Sequence, residues 1–376
     1  MRKETECIHS GKYRDKTVPG VNTPIFTSSS YEYLDTEGTL YPRYFNTPNQ
    51  DAVVRKMCAL EGAEGGILFS SGMAAISTTV LALARSGDHV VMLDELYGGT
   101  HAFATDTFDR WGIRYSFAAT NADAVAQAVT PETKVIIIES PTNPLLGILD
   151  IRRVAGIARS RGIITVIDNT FATPVNQNPL SLGIDVVVHS GTKYMGGHSD
   201  LCCGIALASA AITEKIRATA RHLGGSLNAI TCYLLERSLK TLALRVERQS
   251  ANALKIAQFL SSHRAVRKVN YPGLPDFPGY AIARSQMSGF GGMLSFDLNG
   301  TAELATAFLR RLKIITPAVS LGGVESLICS PARTSHSKIS AEERKRIGIT
   351  DSLLRLSVGI ENVEDLIDDL AAALDW

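Results

Sequence analysis

Five short runs constrain this chain more than any other feature: Gly66-Ile67-Leu68-Phe69, His89-Val90-Val91-Met92-Leu93, Val135-Ile136-Ile137-Ile138, Ile163-Ile164-Thr165-Val166-Ile167 and Asp185-Val186-Val187-Val188. Each is mainly apolar, rich in β-branched residues and without polar alternation. A strand with one wet face alternates with period two, so these read as strands covered on both faces. Helix-like stretches separate them, at Met73 to Arg85, Asn121 to Val129 and Ile151 to Arg161. Strand alternating with helix predicts an α/β fold with a mainly parallel sheet. Ligands of such sheets sit beyond the carboxyl ends of the strands, so the polar residues that follow each run are the candidates for chemistry.

At 376 residues the chain is long enough for two or three domains and for a core that needs no disulfide or metal. Residues 1–48 read as an arm, because turn formers such as Pro19-Gly20, Pro24, Pro42 and Pro48 interrupt any period. Residues 49–230 form the large domain, and 231–376 a smaller α/β domain. Leu235, Leu239, Leu242 and Val246 fall on one helical stripe, which predicts a single helix running to about Phe259 and bridging the two. Residues 265–292 read as loop-rich.

Composition excludes several classes. Lys and Arg total 38 against 37 Asp and Glu, so there is no basic excess for nucleic acid or an anionic membrane. No apolar run approaches the roughly 18 residues of a membrane span, and the charged opening has no secretory h-region. The six cysteines show neither zinc spacing nor a disulfide framework. Reduced thiols in a cytoplasmic protein without a metal are the expectation.

The polar residues after the runs are specific. Ser70-Ser71-Gly72-Met73 turns into a helix, where free N–H groups can hold an anion or simply start a βα turn. Tyr97, on the loop Tyr97-Gly98-Gly99-Thr100, can stack on a planar ligand or pack on its own domain. Asp168 follows the fourth run as a carboxylate at the sheet's mouth or as a cap. Lys193 stands beyond the fifth run in Ser190-Gly191-Thr192-Lys193-Tyr194. A lysine so placed is poorly solvated, which lowers its pKa and favours Schiff-base chemistry. The spacing of His189, His198, Cys202 and Cys203 fits no standard metal site. Pyridoxal phosphate needs a lysine, a carboxylate against its ring nitrogen, a phosphate cradle and a ring to stack on. Lys193, Asp168, Gly72 with Met73, Ser190, Thr192 and Tyr97 supply each part.

These motifs resemble the Cys/Met-metabolism (transsulfuration) family of pyridoxal-phosphate enzymes, which includes cystathionine synthases and lyases, methionine γ-lyase and homoserine-ester sulfhydrylases. The resemblance runs from Ile8-His9-Ser10-Gly11 through Tyr41-Pro42-Arg43 and Glu139-Ser140-Pro141-Thr142-Asn143-Pro144. It continues to Ser320-Leu321-Gly322-Gly323 and Leu354-Arg355-Leu356-Ser357. It implies the fold type I architecture of these enzymes, a homotetramer built as a dimer of dimers, and sulfur amino acids as substrates. Tyr41 and Arg43 match the pair that reaches a neighbouring subunit's cofactor phosphate. Asn143 matches a partner of the cofactor's ring oxygen, and Arg355 the anchor of the substrate α-carboxylate, with Ser320 beside it. Lys193 and Tyr97 match the catalytic pair.

The implied reaction is C–S cleavage by β- or γ-elimination, with γ-replacement on an activated homoserine ester as the alternative. The chain departs from the family at Asn46-Thr47-Pro48-Asn49, where Asn-Pro-Thr is usual, and at Arg333-Thr334, where a small or apolar pair is usual. Val319 replaces the acidic residue that commonly precedes Ser-Leu-Gly-Gly. With Leu40 and Ala102 it predicts an uncharged wall at the substrate's distal end, suited to short thiols and thioethers. Gly99 stands where methionine γ-lyases have Cys.

Overall fold

The computed structural model describes residues 1–36, 38–337 and 340–375. The five apolar runs form β1 (Gly65–Phe69), β2 (His89–Leu93), β4 (Thr133–Glu139), β5 (Ile164–Asp168) and β6 (Val186–Ser190). Two further strands complete the sheet, β3 (Arg114–Ala118) and β7 (Gly204–Ala208). The order is β1-β7-β6-β5-β4-β2-β3; β7 runs antiparallel to both neighbours and the other pairings are parallel. β2 is buried along its whole length, as an unalternating run requires. The fold is α/β, as expected. β3 escapes a reading by apolar runs because it is an edge strand that alternates Arg114, Ser116 with Tyr115, Phe117. β7 escapes it because its Gly and Ala carry no β preference of their own.

The helix Gly72–Leu83 follows β1, and Ser71 caps it by accepting the Ala74 N–H at 3.1 Å. A second sheet holds β8 (Val266–Asn270), β9 (Met293–Leu298), β10 (Thr316–Pro317), β11 (Leu327–Cys329) and β12 (Leu353–Ser357) in the order β10-β11-β12-β9-β8. The segment expected to be loop-rich thus contains β8 and the helix Tyr280–Gln286.

The single helix expected from the leucine stripe is two helices, Ala229–Leu239 and Leu242–Ser262. Leu235, Leu239, Leu242 and Val246 are all buried, so the stripe itself is present. Burying each contributes about 1.5–3 kcal/mol. The chain breaks at Lys240-Thr241 because Ser238 O is taken by other donors: Thr241 Oγ1 at 3.2 Å and Arg245 Nη2 at 3.0 Å.

The arm carries one regular helix, Lys3–His9, which the charged opening conceals. Buried Lys56 holds it by donating to Cys7 O at 2.9 Å and Ser10 O at 2.6 Å. Thr47-Pro48 starts the helix Pro48–Glu61, with Gln50 Oε1 accepting the Thr47 N–H at 3.1 Å. Asn49 bonds Phe26 N and Pro24 O, so the unusual Asn46-Thr47-Pro48-Asn49 stretch pins the arm. No helix among the described residues is long and apolar enough to cross a membrane. All six cysteines are free thiols.

Candidate active site

A cavity of about 500 Å³ opens at the carboxyl ends of the large sheet, roofed by the second sheet's loops. Ser71, Gly72 and Met73 line it after β1, and Tyr97 after β2. Glu139 and Asn143 come from β4, Asp168 and Thr170 from β5, and Ser190, Thr192 and Lys193 from β6. Val319, Ser320 and Arg355 reach it from the side of the second sheet.

At the β1 end the N-terminus of the helix Gly72–Leu83 faces Ser190. A Cβ on Gly72 would lie 2.7 Å from Ser190 Cβ, so only glycine permits this approach. The Ser190 N–H donates to Thr170 Oγ1 at 2.8 Å, which ties the β5 and β6 ends together. Thr192 Oγ1 accepts the Cys203 N–H at 3.1 Å and donates to Cys203 O at 3.2 Å, a bond it would exchange for one to an anion. Free N–H groups, a helix dipole and two hydroxyls make an anion cradle.

Lys193 Nζ donates to Ser320 Oγ at 2.8 Å. Arg355 Nη2 donates to Ser320 O at 3.2 Å, and Arg355 Nη1 to Asn143 Oδ1 at 2.9 Å. Ser320 therefore links the amine to the guanidinium, and does so at φ +87°, a conformation non-glycine residues rarely adopt. Burial pushes the Lys193 amine below its ordinary range, and the nearby Arg355 charge pushes it further. Both effects favour the free base.

Glu139 and Asp168 are register partners at the ends of β4 and β5. Burial raises both carboxyls, Glu139 well above its ordinary value, where the neighbouring Asp168 adds to the push. On Asp168 the push of burial is opposed by hydrogen bonds from Thr170, whose N–H donates to Oδ1 at 3.0 Å, and by the field of His189. Glu139 Oε2 accepts the Tyr97 N–H at 2.9 Å and so sets the Tyr97 loop. That loop is crowded. A Cβ on Gly99 would meet Tyr97 Cε1 at 2.5 Å and Met73 Sδ at 3.2 Å, and one on Gly98 would meet Ser335 O at 2.1 Å.

The chain does not bring every expected residue here. Tyr41 and Arg43 lie outside the cavity; Arg43 stacks on the Tyr41 and Tyr44 rings at 5.7 and 5.2 Å and donates to Arg221 O. Of the three residues expected to form the distal wall only Val319 lines the cavity, whereas Leu40 and Ala102 do not. Arg333 also lies outside it; the Glu303 carboxyl is lowered chiefly by its hydrogen bond with Thr301, and the Arg333 charge adds a smaller push.

A family model described as Cys/Met metabolism PLP-dependent enzyme matches residues 4–375. The chain belongs to that family. Pyridoxal phosphate is therefore its cofactor, and the cavity fits it. The cradle that a single Cβ on Gly72 would fill, the depressed amine of Lys193 and the buried carboxyl of Asp168 are the donor set this group requires. A cystathionine gamma-lyase of Bacillus subtilis is 46% identical over 380 residues, covering 100% of both chains. A cystathionine beta-lyase of Lactococcus lactis is 44% identical, covering 99% of this chain and 98% of its own. A solved cystathionine gamma-lyase of Lactobacillus plantarum, complexed with L-serine, superposes with a TM-score of 0.95 at 40% identity. It covers 99% of this chain and 98% of that one.

In this family member, the sequence reading gives no site role to Glu139, Thr170, Thr334 or Ser335, all of which line the cavity. Glu139 had an available signal, since it follows Val135 to Ile138 as Asp168 follows its own run. Thr334 is marked only as half of the unusual Arg333-Thr334 pair, and Ser335 has no signal, because it arrives from a loop distant in sequence.

Proposed function

We propose that this pyridoxal-phosphate enzyme is a C–S lyase acting on sulfur amino acids, cystathionine included, by β- or γ-elimination. The observation that carries the reading is the Lys193–Ser320–Arg355–Asn143 chain of hydrogen bonds across one cavity. It sets an amine and a carboxylate-binding fork at a fixed separation, which is what holding an amino acid by its α-carboxylate while moving its Cα proton demands.

When bound, the cofactor supplies an aldehyde carbon for amines and a ring that accepts an electron pair. Lys193 Nζ would anchor it and then take and return the substrate's Cα proton. Asp168 would pair with the ring nitrogen and Tyr97 with the ring face. Gly72, Met73, Ser190 and Thr192 would hold the phosphate, and Asn143, which steadies Arg355, would serve the ring oxygen. Arg355 receives the α-carboxylate, with Ser320 restraining both Lys193 and Arg355. The rim at Val319 offers no charge to a distal ammonium, and leaving such a group unpaired is costly. Short thiols and thioethers therefore suit this wall at least as well as cystathionine.

The division into an arm (1–48), a large domain (49–230) and a C-terminal domain (231–376) is supported by β1 to β7 lying within 65–208 and β8 to β12 within 266–357. The active unit is at least a dimer and, on this reading, a tetramer, with Tyr41 and Arg43 reaching a neighbouring subunit's phosphate. Their distance from their own cavity and the exposed apolar arm residues Val18, Val21, Tyr33 and Leu34 support this. Six free thiols accord with a cytoplasmic setting.

The test is turnover with cystathionine, methionine, homocysteine, cysteine, and O-acetylhomoserine plus sulfide. Keto acid and thiol released from a sulfur amino acid alone is the expected result. Turnover only of the homoserine ester with sulfide would replace the reading with γ-replacement.

A further inference from the structure

Behind the cavity, the carboxylate of Glu61 at the end of the helix Pro48–Glu61 collects three donors in a fully buried place. His189 Nε2–H reaches Oε1 at 2.6 Å, Asn169 Nδ2 reaches Oε1 at 3.0 Å, and Asn178 Nδ2 reaches Oε2 at 3.2 Å. Glu61, His189 and Asn169 are each no more than 2% exposed. Asn169 follows Asp168 in the chain, and His189 precedes Ser190. Gln177 extends the network by donating to Asn169 Oδ1 at 2.9 Å and to Ser140 O at 2.8 Å, the residue after Glu139. One carboxylate thus ties together the ends of β4, β5 and β6.

The loop it anchors is strained. Thr173, a β-branched residue, sits at φ +64°, a backbone conformation that costs free energy and persists only where neighbours over-determine it. The Thr173 N–H bonds Asn169 O at 2.9 Å, and the Gln177 N–H bonds Thr173 O at 3.1 Å, closing the segment on itself. Asn169 Nδ2 also donates to Gln177 O at 3.0 Å. A loop held this tightly directly after Asp168 fixes where the Asp168 carboxyl can point.

We propose that Glu61, acting through His189 and Asn169, is a positioning residue that aligns Asp168 against the cofactor ring. The inference rests on the reading that Asp168 faces the ring nitrogen. It does not require Glu61 to touch cofactor or substrate. The field of His189 at Asp168 supports the link, since it opposes the upward push of burial there. The charged groups facing the ring site, Asp168, Glu139, Lys193 and Arg355, remain in place in the Glu61 and His189 variants. Around Glu61 the other side chains of the hub, Asn169, Gln177 and Asn178, are uncharged.

The experiment compares holoenzymes of the wild type, Glu61→Gln, His189→Gln and Asp168→Asn. Glu61→Gln keeps the size of the side chain but removes its charge and places an amide donor where a carboxylate accepted. The readouts are kcat and KM for one substrate, Tm, and the pH midpoint of the bound cofactor's visible band. Glu61→Gln should lower kcat about 10- to 100-fold, leave KM within about threefold and move the midpoint down by roughly half a unit, because a negative charge behind the ring is lost. His189→Gln should lower kcat in the same way. A lower Tm with kcat and midpoint unchanged would overturn the proposal in favour of a purely structural role. So would wild-type behaviour throughout, or failure of both the Glu61 and His189 variants to form holoenzyme. If Asp168→Asn loses turnover while the Glu61 and His189 variants do not, the hub alone falls. If Asp168→Asn itself changes neither kcat nor midpoint, the reading of Asp168 falls and takes the hub with it.

Discussion

The strand ends around the cavity and the arm before them are built on opposite principles. At the strand ends, polar groups are buried and bonded: Lys193 to Ser320, Arg355 to Asn143, and Glu61 to three donors at once. In the arm, Val18, Val21, Tyr33 and Leu34 are all more than two-thirds exposed, and Arg43 finds only aromatic faces and one carbonyl. The first region makes these hydrogen bonds within one chain. The second leaves apolar surface and a guanidinium without the burial that would stabilise them. The difference teaches that the strand ends are preorganised by their own packing and the arm is not, which is what the association proposed above would require.

The sharpest way to break this comparison is at its centre. Lys193→Ala should remove the cofactor's visible band and reduce turnover at least about 1,000-fold in single- and multiple-turnover assays. Near-normal turnover would mean that the preorganised region holds its chemistry elsewhere.

Next in size is a stability effect on the same side. His336 is 2% exposed and held by Ser335 Oγ at 2.8 Å and by the Leu96 backbone. Burial, aided by the charge of Arg355, lowers its pKa to about 4. The unfolded chain, at the ordinary value near 6.5, takes up a proton between those values that the folded chain refuses. Stability should therefore rise with pH from about 4 to 6.5 and be lost on acidification. His336→Gln should remove about 3 kcal/mol of that pH dependence in urea unfolding. An unchanged slope would show that the loop carrying Ser335 is not held by a neutral imidazole.

On the arm side, Arg43→Ala should weaken cofactor retention roughly 10- to 150-fold, the worth of a charge-assisted hydrogen bond to phosphate, as read by equilibrium dialysis. A fully active, cofactor-saturated monomer in ultracentrifugation would abolish the contrast between the regions. The smallest effect concerns the rim between them. Val319→Glu should raise kcat/KM for cystathionine relative to methionine roughly tenfold by giving its distal ammonium a partner. No change would place the distal end elsewhere.

Much of this was legible because the informative signals are local. Asp168 and Lys193 each follow an apolar run, and the run itself declares a buried strand whose end is a ligand site. β3 and β7 were not legible, since an alternating edge strand and a Gly/Ala strand lack that signal. The helix break at Lys240-Thr241 was hidden because the leucine stripe continues across it; the side chains of Thr241 and Arg245, both donating to Ser238 O, decide the matter. The Glu61 hub was invisible for a different reason. It joins residues 61, 169, 177, 178 and 189, and no window of sequence contains more than a few of them.

β7 has one more consequence. A Cβ on its Gly204 would fall 2.1 Å from Ser71 O, one on Gly72 would fall 2.7 Å from Ser190 Cβ, and one on Gly191 would fall 2.4 Å from Cys203 Sγ. Each of the three lies against the segment that carries another: Gly204 against Ser71-Gly72, Gly72 against Ser190, and Gly191 against Cys203. Enlarging any of them displaces the phosphate cradle as a whole instead of trimming one contact. An effort to resize the pocket for a bulkier amino acid should therefore spare 72, 191 and 204 entirely and draw its diversity from Val319, which lines the cavity at its exposed rim.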